Sequence, residues 1–225
     1  MKVTKYFIFN AGSVMLHHKG GCVPSTLPKG VECGEVRLFV EDEDGAFYMG
    51  HTTQEALPEG WEWLDLRESY YVLSEVEYRM AGKASELLYF DSHHRYCGCC
   101  GASMEWASKI SKRCTRCGEE LWPKLSTAII VLVHRDEEAL LVKAKNFRRD
   151  YYGLVAGFVE TGESLEECVA REVYEETGLT LTSYRYRGIV TFVSDEWETE
   201  YMHLFTAAGF TGEQHACDEG ELRWI

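Results

Sequence analysis

Residues 157–179, GFVETGESLEECVAREVYEETGL, crowd seven glutamates and one arginine between two glycines. Leu165, Val169 and Val173 recur at helical spacing, which predicts a helix with one buried face. Ser164 or Thr161 can cap its start near residue 165, and Gly178 can end it. Glu172, Glu175 and Glu176 fall at i, i+3 and i+4, so their carboxylates share one side of the helix beside the apolar stripe. Beside that stripe all three acids are expected to be half-desolvated, where like charges repel by more than the roughly few tenths of a kcal/mol per pair they cost in water. A hard cation that prefers oxygen ligands, Mg²⁺ or Mn²⁺, relieves the repulsion. Arg171 is expected to pair with Glu163 and steady the loop that enters the helix.

The flanking sequence predicts strands. LSTAIIVLVHRD reads as a buried strand, EEALLVKAKN as a second, and YYGLVAGFVE leads into the glutamate helix. YRYRGIVTFVSD, ETEYMHLFTAAGF and the terminal ELRWI are β-like, so residues 126–225 read as a mixed α/β sandwich. Earlier, EVRLFV, the turn EDEDG and AFYMG predict a hairpin. The segment WEWLDLRESYYVLSEVEYRMAGKASELLYF predicts a short strand and one or two helices, the last weakened at Gly82. Residues 1–92 are thus expected to form a small α+β domain. With 45% hydrophobic and 13% aromatic residues, the chain has material for real cores.

Between these regions, residues 93–125 are cysteine-rich. Cys97-x2-Cys100 and Cys114-x2-Cys117, thirteen residues apart, suit a tetrahedral four-thiolate zinc site. Such a site leaves no open position for water, so a structural zinc ribbon is expected. Cys99 confuses the register, but the x2 spacing favours Cys100. His93 and His94 read as surface or packing residues, and Cys22, Cys33, Cys168 and Cys217 as buried thiols.

The formal charge of −14 argues against a face that grips nucleic acid through its phosphates. Anionic substrates stay open if divalent cations bridge the two sets of charge. There is no run of about twenty apolar residues and no clear signal peptide, so a cytoplasmic protein with reduced thiols is expected.

Gly157, Glu163 and R171-E-V-Y-E-E-T-G-L179 match every fixed position of G-x5-E-x7-R-E-U-x-E-E-x-G-U, where U is a bulky aliphatic residue. This resembles the Nudix box, and it implies an α+β chain whose Nudix hydrolase domain is an α/β/α sandwich with a mixed sheet, preceded by the zinc ribbon and the small N-terminal α+β domain. The resemblance implies hydrolysis of a nucleoside diphosphate linked to another group. Glu172 and Glu176 would be principal metal ligands, and Glu175 a further ligand or base. The Ala156 carbonyl would ligate too, and a late acid, Glu219 ahead of Asp218 or Glu221, would complete the site.

HHRYCGCCG, LWPKLSTAIIVLV and YYGLVAGFVETGESLEECVAREV resemble the NADH pyrophosphatase branch over roughly residues 60–178. That branch cuts NAD(H) to nicotinamide mononucleotide and AMP, usually as a homodimer, and some members remove NAD caps from RNA. Trp122 falls where the branch places an aromatic near the substrate, and Phe158 is a second candidate for base contact. The branch's Ser-Gln-Pro-Trp-Pro-Phe-Pro array is absent. In its place GIVTFVSDEWETEYMHLFTA, within residues 180–224, is similar to Nudix enzymes of the 8-oxo-dGTP diphosphatase type, and Phe192, Trp197 and Glu198 fall in the nucleotide-lining region. The chain therefore reads as a hybrid joined within the box, and as truncated after its last strand, where a closing helix is expected. Two further functions follow: a nucleoside triphosphate pyrophosphatase, or a non-catalytic nucleotide-binding module.

Overall fold

The computed structural model describes residues 2–43, 45–144, 152–193, 199–215 and 220–225. Trp197, Glu198, Cys217, Asp218 and Glu219 lie outside them. The chain divides into two compact units: Met1–Lys124 with Val193–Thr199, and Leu125–Phe192 with Glu200–Ile225.

The first unit is built on a five-stranded sheet of β1 (Val3–Asn10), β2 (Ser13–His17), β3 (Arg37–Glu41), β4 (Gly45–His51) and β5 (Trp61–Asp65), in the order β3-β4-β1-β2-β5. β1 pairs parallel with β4 and antiparallel with β2. This central position explains its sequence, because Phe7, Ile8 and Phe9 are all buried and no polar alternation remains. The β3–β4 hairpin forms as expected. The strands β1 and β2 have no counterpart in the sequence expectation.

Helix α1 (Glu75–His93) packs against β1 and β4. Ser74 caps it by accepting from the Glu77 amide. It runs through Gly82 without a break. Burial of Ala81, Ala84, Leu87 and Phe90 outweighs the roughly 1 kcal/mol helix cost of one glycine. A three-stranded sheet of β6 (Met104–Trp106), β7 (Lys112–Cys114) and β8 (Glu120–Leu121) follows.

The second unit is a mixed sheet. It contains β9 (Ser126–Arg135), β10 (Glu138–Ala144), β11 (Val155–Phe158), β12 (Thr180–Phe192), β13 (Glu200–Thr211) and β14 (Gly220–Trp224), ordered β12-β13-β9-β10-β14 with β11 added on β9. β13 runs parallel to β9, and the other pairs are antiparallel. Helix α2 (Leu165–Thr177) packs against β9, β11 and β12. Val169 and Val173 join Ile129, Val131, Val155 and Phe205 in one apolar core. α2 is the one helix of this unit among the described residues, so the second helical layer of an α/β/α sandwich is not among them. Among the described residues no helix is long and apolar enough to cross a membrane.

Candidate metal-binding and hydrolytic site

Helix α2 starts at a reciprocal cap. The Ser164 hydroxyl accepts from the Glu167 amide at 3.2 Å, and the Glu167 carboxylate accepts from the Ser164 amide at 2.8 Å. It ends at Gly178, whose φ of 78° lies in the left-handed region. A Cβ there would also come within 2.9 Å of the Glu213 carbonyl.

A helix turns about 100° per residue, which places Glu176 about 20°, Glu172 about 60° and Glu175 about 120° from Val169. Burial follows that order. Val169 and Glu176 are buried, at 0% and 8% exposure. The Glu172 side chain is 14% exposed and that of Glu175 59%. The three acids therefore stand on one side but not in one environment. The expectation that all are half-desolvated is corrected for Glu175, which points into water.

The Glu172 carboxylate lies on the backbone of β11. A Cβ added at Gly157 would overlap it, so the first glycine of the pattern is required by close approach. Ala156, exposed on β11, is the chain neighbour of that contact.

Arg171 ties loop to helix. Its Nε and Nη2 donate to the two oxygens of Glu163 at 2.8 and 2.9 Å, and Nη2 also donates to the Phe158 carbonyl at 3.1 Å. Nη1 donates to Glu172 at 2.7 Å and to Glu175 at 3.3 Å. The expected Arg171–Glu163 pair is thus present as a two-pronged ion pair. Its hydrogen bonds, helped by the Glu160 amide, hold the Glu163 carboxyl down at about 2. The same bonds raise the Arg171 value further. Cys168, buried under this network, has its thiol pushed up to about 12 by desolvation, which suits an inert core residue.

In the first unit, the ligand atoms of Cys97, Cys100, Cys114 and Cys117 all lie within 4.8 Å of one another. Among the described residues no other group of three or more such side chains is so gathered. Cys97 and Cys117 sulfurs are 3.6 Å apart, and Cys100 and Cys114 sulfurs 3.4 Å. A zinc tetrahedron with Zn–S of about 2.3 Å has sulfur–sulfur edges of about 3.8 Å, so the donors fit this ion with a small expansion. The Cys117 and Arg116 amides donate to the Cys114 sulfur, both at 3.4 Å. They draw the Cys114 thiol down to about 6, toward the thiolate a metal requires. Cys99 is exposed and outside the cluster, its amide donating to the Cys97 sulfur. Cys168 is buried as expected, whereas Cys22 and Cys33 are only half-buried, because both sit on loops beside short strands rather than in a core.

Trp122, in the first unit, and Phe158, in the second, are exposed at 55% and 54%. Phe192 is half-buried at the end of β12. Sequence reasoning missed the buried Lys112, which pairs with Asp91 at 2.7 Å and lies over the Trp106 ring; a lone lysine in a strand carries no signal of burial.

Two family models match the chain: NUDIX domain over residues 123–225, and NADH pyrophosphatase-like rudimentary NUDIX domain over residues 3–89. A protein of Chromobacterium violaceum named NAD-capped RNA hydrolase NudC is 30% identical over 97% of this chain and 80% of its own length. The chain belongs to the Nudix hydrolase family. A protein of the same name from Stutzerimonas stutzeri is 39% identical over 56% of this chain and 46% of its own length; several further relatives also align over only about half of their length. A solved Nudix hydrolase of Nitrosomonas europaea is 20% identical over 58% of this chain and 77% of its own, with a TM-score of 0.47. The Nudix match at 3–89 extends the sequence expectation of a small α+β domain: that stretch holds no glutamate box, so no local motif could reveal the relationship.

Proposed function

We infer that this Nudix hydrolase cleaves the diphosphate bond of a nicotinamide adenine dinucleotide, free as NAD(H) or as the 5′ cap of an RNA, leaving nicotinamide mononucleotide and an adenosine 5′-monophosphate end. One observation carries the reading: the relative named NAD-capped RNA hydrolase aligns over 97% of the chain, across the glutamate box and into the segment after it. The NADH pyrophosphatase-like match at residues 3–89 supports it independently.

Mg²⁺ or Mn²⁺ fits the acids of α2. Glu172 lies in a cradle at Gly157 that a Cβ would fill, and Glu176 is a buried carboxylate; both are hard oxygen donors. We assign the ion to Glu172 and Glu176, with Glu175 and the Ala156 carbonyl as further donors and Glu219, outside the described residues, as a late acid. When bound, the ion would offset diphosphate charge and lower the pKa of a water. Glu175, exposed on the helix, is our candidate to accept a proton. Arg171 acts as a positioning residue that sets Glu172 against β11. Phe158 offers a ring face to a base, and Trp122 remains our candidate for a further aromatic contact. A cytoplasmic homodimer, the assembly suggested by the family resemblance, completes the proposal and is checked by light scattering.

Incubation with NADH and, separately, with 8-oxo-dGTP, each with Mg²⁺, tests the reading. Release of nicotinamide mononucleotide supports it. Pyrophosphate from 8-oxo-dGTP without NADH turnover would favour the triphosphate pyrophosphatase suggested by residues 180–224. Turnover no higher than that of Glu176→Gln would favour a binding module.

A further inference from the structure

We propose that the first unit carries a binding site for a single nucleoside monophosphate, in the cavity beside the C-terminal half of α1. The cavity measures about 330 Å³, and pockets that take small molecules begin at about 300 Å³. Phe9, at the end of β1, and Leu88, on α1, give it an apolar wall. Tyr89 and His93 line it as a stacked pair, with ring centroids 3.9 Å apart and planes 25° from parallel. Protonated at Nδ1, His93 donates to the Tyr89 carbonyl at 2.9 Å, and the Ser92 hydroxyl oxygen lies 2.9 Å from the same nitrogen. The ring is thereby fixed, and the pair presents a preformed surface on which a heteroaromatic base can stack.

The rim is cationic on balance. Asp91 is the one carboxylate among the described lining residues, and the buried Lys112 ammonium neutralises it at 2.7 Å. Arg95 lines the cavity and is exposed, and no carboxylate pairs with it among the described residues. His51, at the end of β4, also lines the cavity and adds imidazole nitrogens. In a chain of net charge −14, a local excess of positive charge selects an anion. The planar guanidinium suits a phosphate through two parallel hydrogen bonds. Anion recognition beside a fixed aromatic surface, in a cavity at the small end of the ligand range, is the chemistry of one nucleotide. No residue of the α2 carboxylate site takes part.

Titration calorimetry of the full-length protein with AMP, without added divalent cation, tests the proposal. One AMP per chain is expected, with an affinity that Glu176→Gln leaves unchanged. Arg95→Gln and His51→Ala are each expected to weaken binding about tenfold, the loss of one charge-assisted hydrogen bond. Both side chains are exposed, so wild-type melting temperature and zinc content are expected in both variants. If Arg95→Gln disturbs the neighbouring ribbon, His51→Ala decides alone. Inorganic phosphate and adenosine, as separate probes, should each bind more weakly than AMP. The proposal is overturned if AMP does not bind without added metal, if the substitutions leave its affinity unchanged, or if phosphate alone binds as tightly.

Discussion

Three glutamates of one helix end up in three solvents. Glu176 sits almost in line with Val169 and is buried, Glu172 rests on the backbone of β11, and Glu175 reaches water. Glu176→Gln keeps the volume and removes the charge; we expect a loss of more than about a hundredfold in kcat with an unchanged melting temperature, and near-full rates would refute the assignment. Gly157→Ala puts a methyl group where the Glu172 carboxylate lies. The expected result is a comparable loss of activity with zinc content intact, read by steady-state kinetics and metal analysis. Glu163 titrates at about 2 rather than the ordinary 4.5, first because Arg171 hydrogen-bonds it. Its folded value is the depressed one, so its stabilising contribution is whole above the ordinary value and is lost as pH falls from about 4.5 toward 2. Thermal melts at about pH 7 and about pH 3 should therefore lie closer together for Glu163→Gln than for wild type.

At the scale of elements, α2 was legible because its signals are local. The cap, the apolar spacing and the terminal glycine all act within a few residues, and the helix runs from Leu165 to Thr177 between the expected punctuation marks. Ser164→Ala should cost about 1 kcal/mol of stability in denaturant titrations. Gly178→Ala should cost at least that much, through a positive φ and a crowded Cβ position. Strands β1 and β2 escaped notice for the opposite reason. A strand buried on both faces shows an apolar run with no period, and Phe7-Ile8-Phe9 is indistinguishable from a short core segment of any kind until its neighbours are known.

On the scale of the whole molecule, two units carry separate candidate chemistry: four gathered cysteines in one, the α2 carboxylates in the other. We propose that the four cysteines hold zinc; Cys114→Ser is then expected to lower bound zinc and the melting temperature of the first unit, and equal stability with no bound metal would show that the cluster needs none. The cysteine spacing was readable because each pair of ligands is local and only the meeting of the two knuckles is tertiary. The rudimentary Nudix relationship of residues 3–89 was not readable, since it resides in a shared pattern of strands and not in chemistry-bearing side chains.

From sequence alone came the helix with its acids, the identity of the four thiolates and the family, all of which depend on residue types at short, fixed spacings. Tertiary structure alone decided that β1 lies beside β4 and β13 beside β9, that Glu172 rests on Gly157, and that of three similar carboxylates one is buried. Those outcomes depend on which apolar faces meet across long stretches of chain. No local rule encodes that choice, because strand partners are selected by the burial they achieve together.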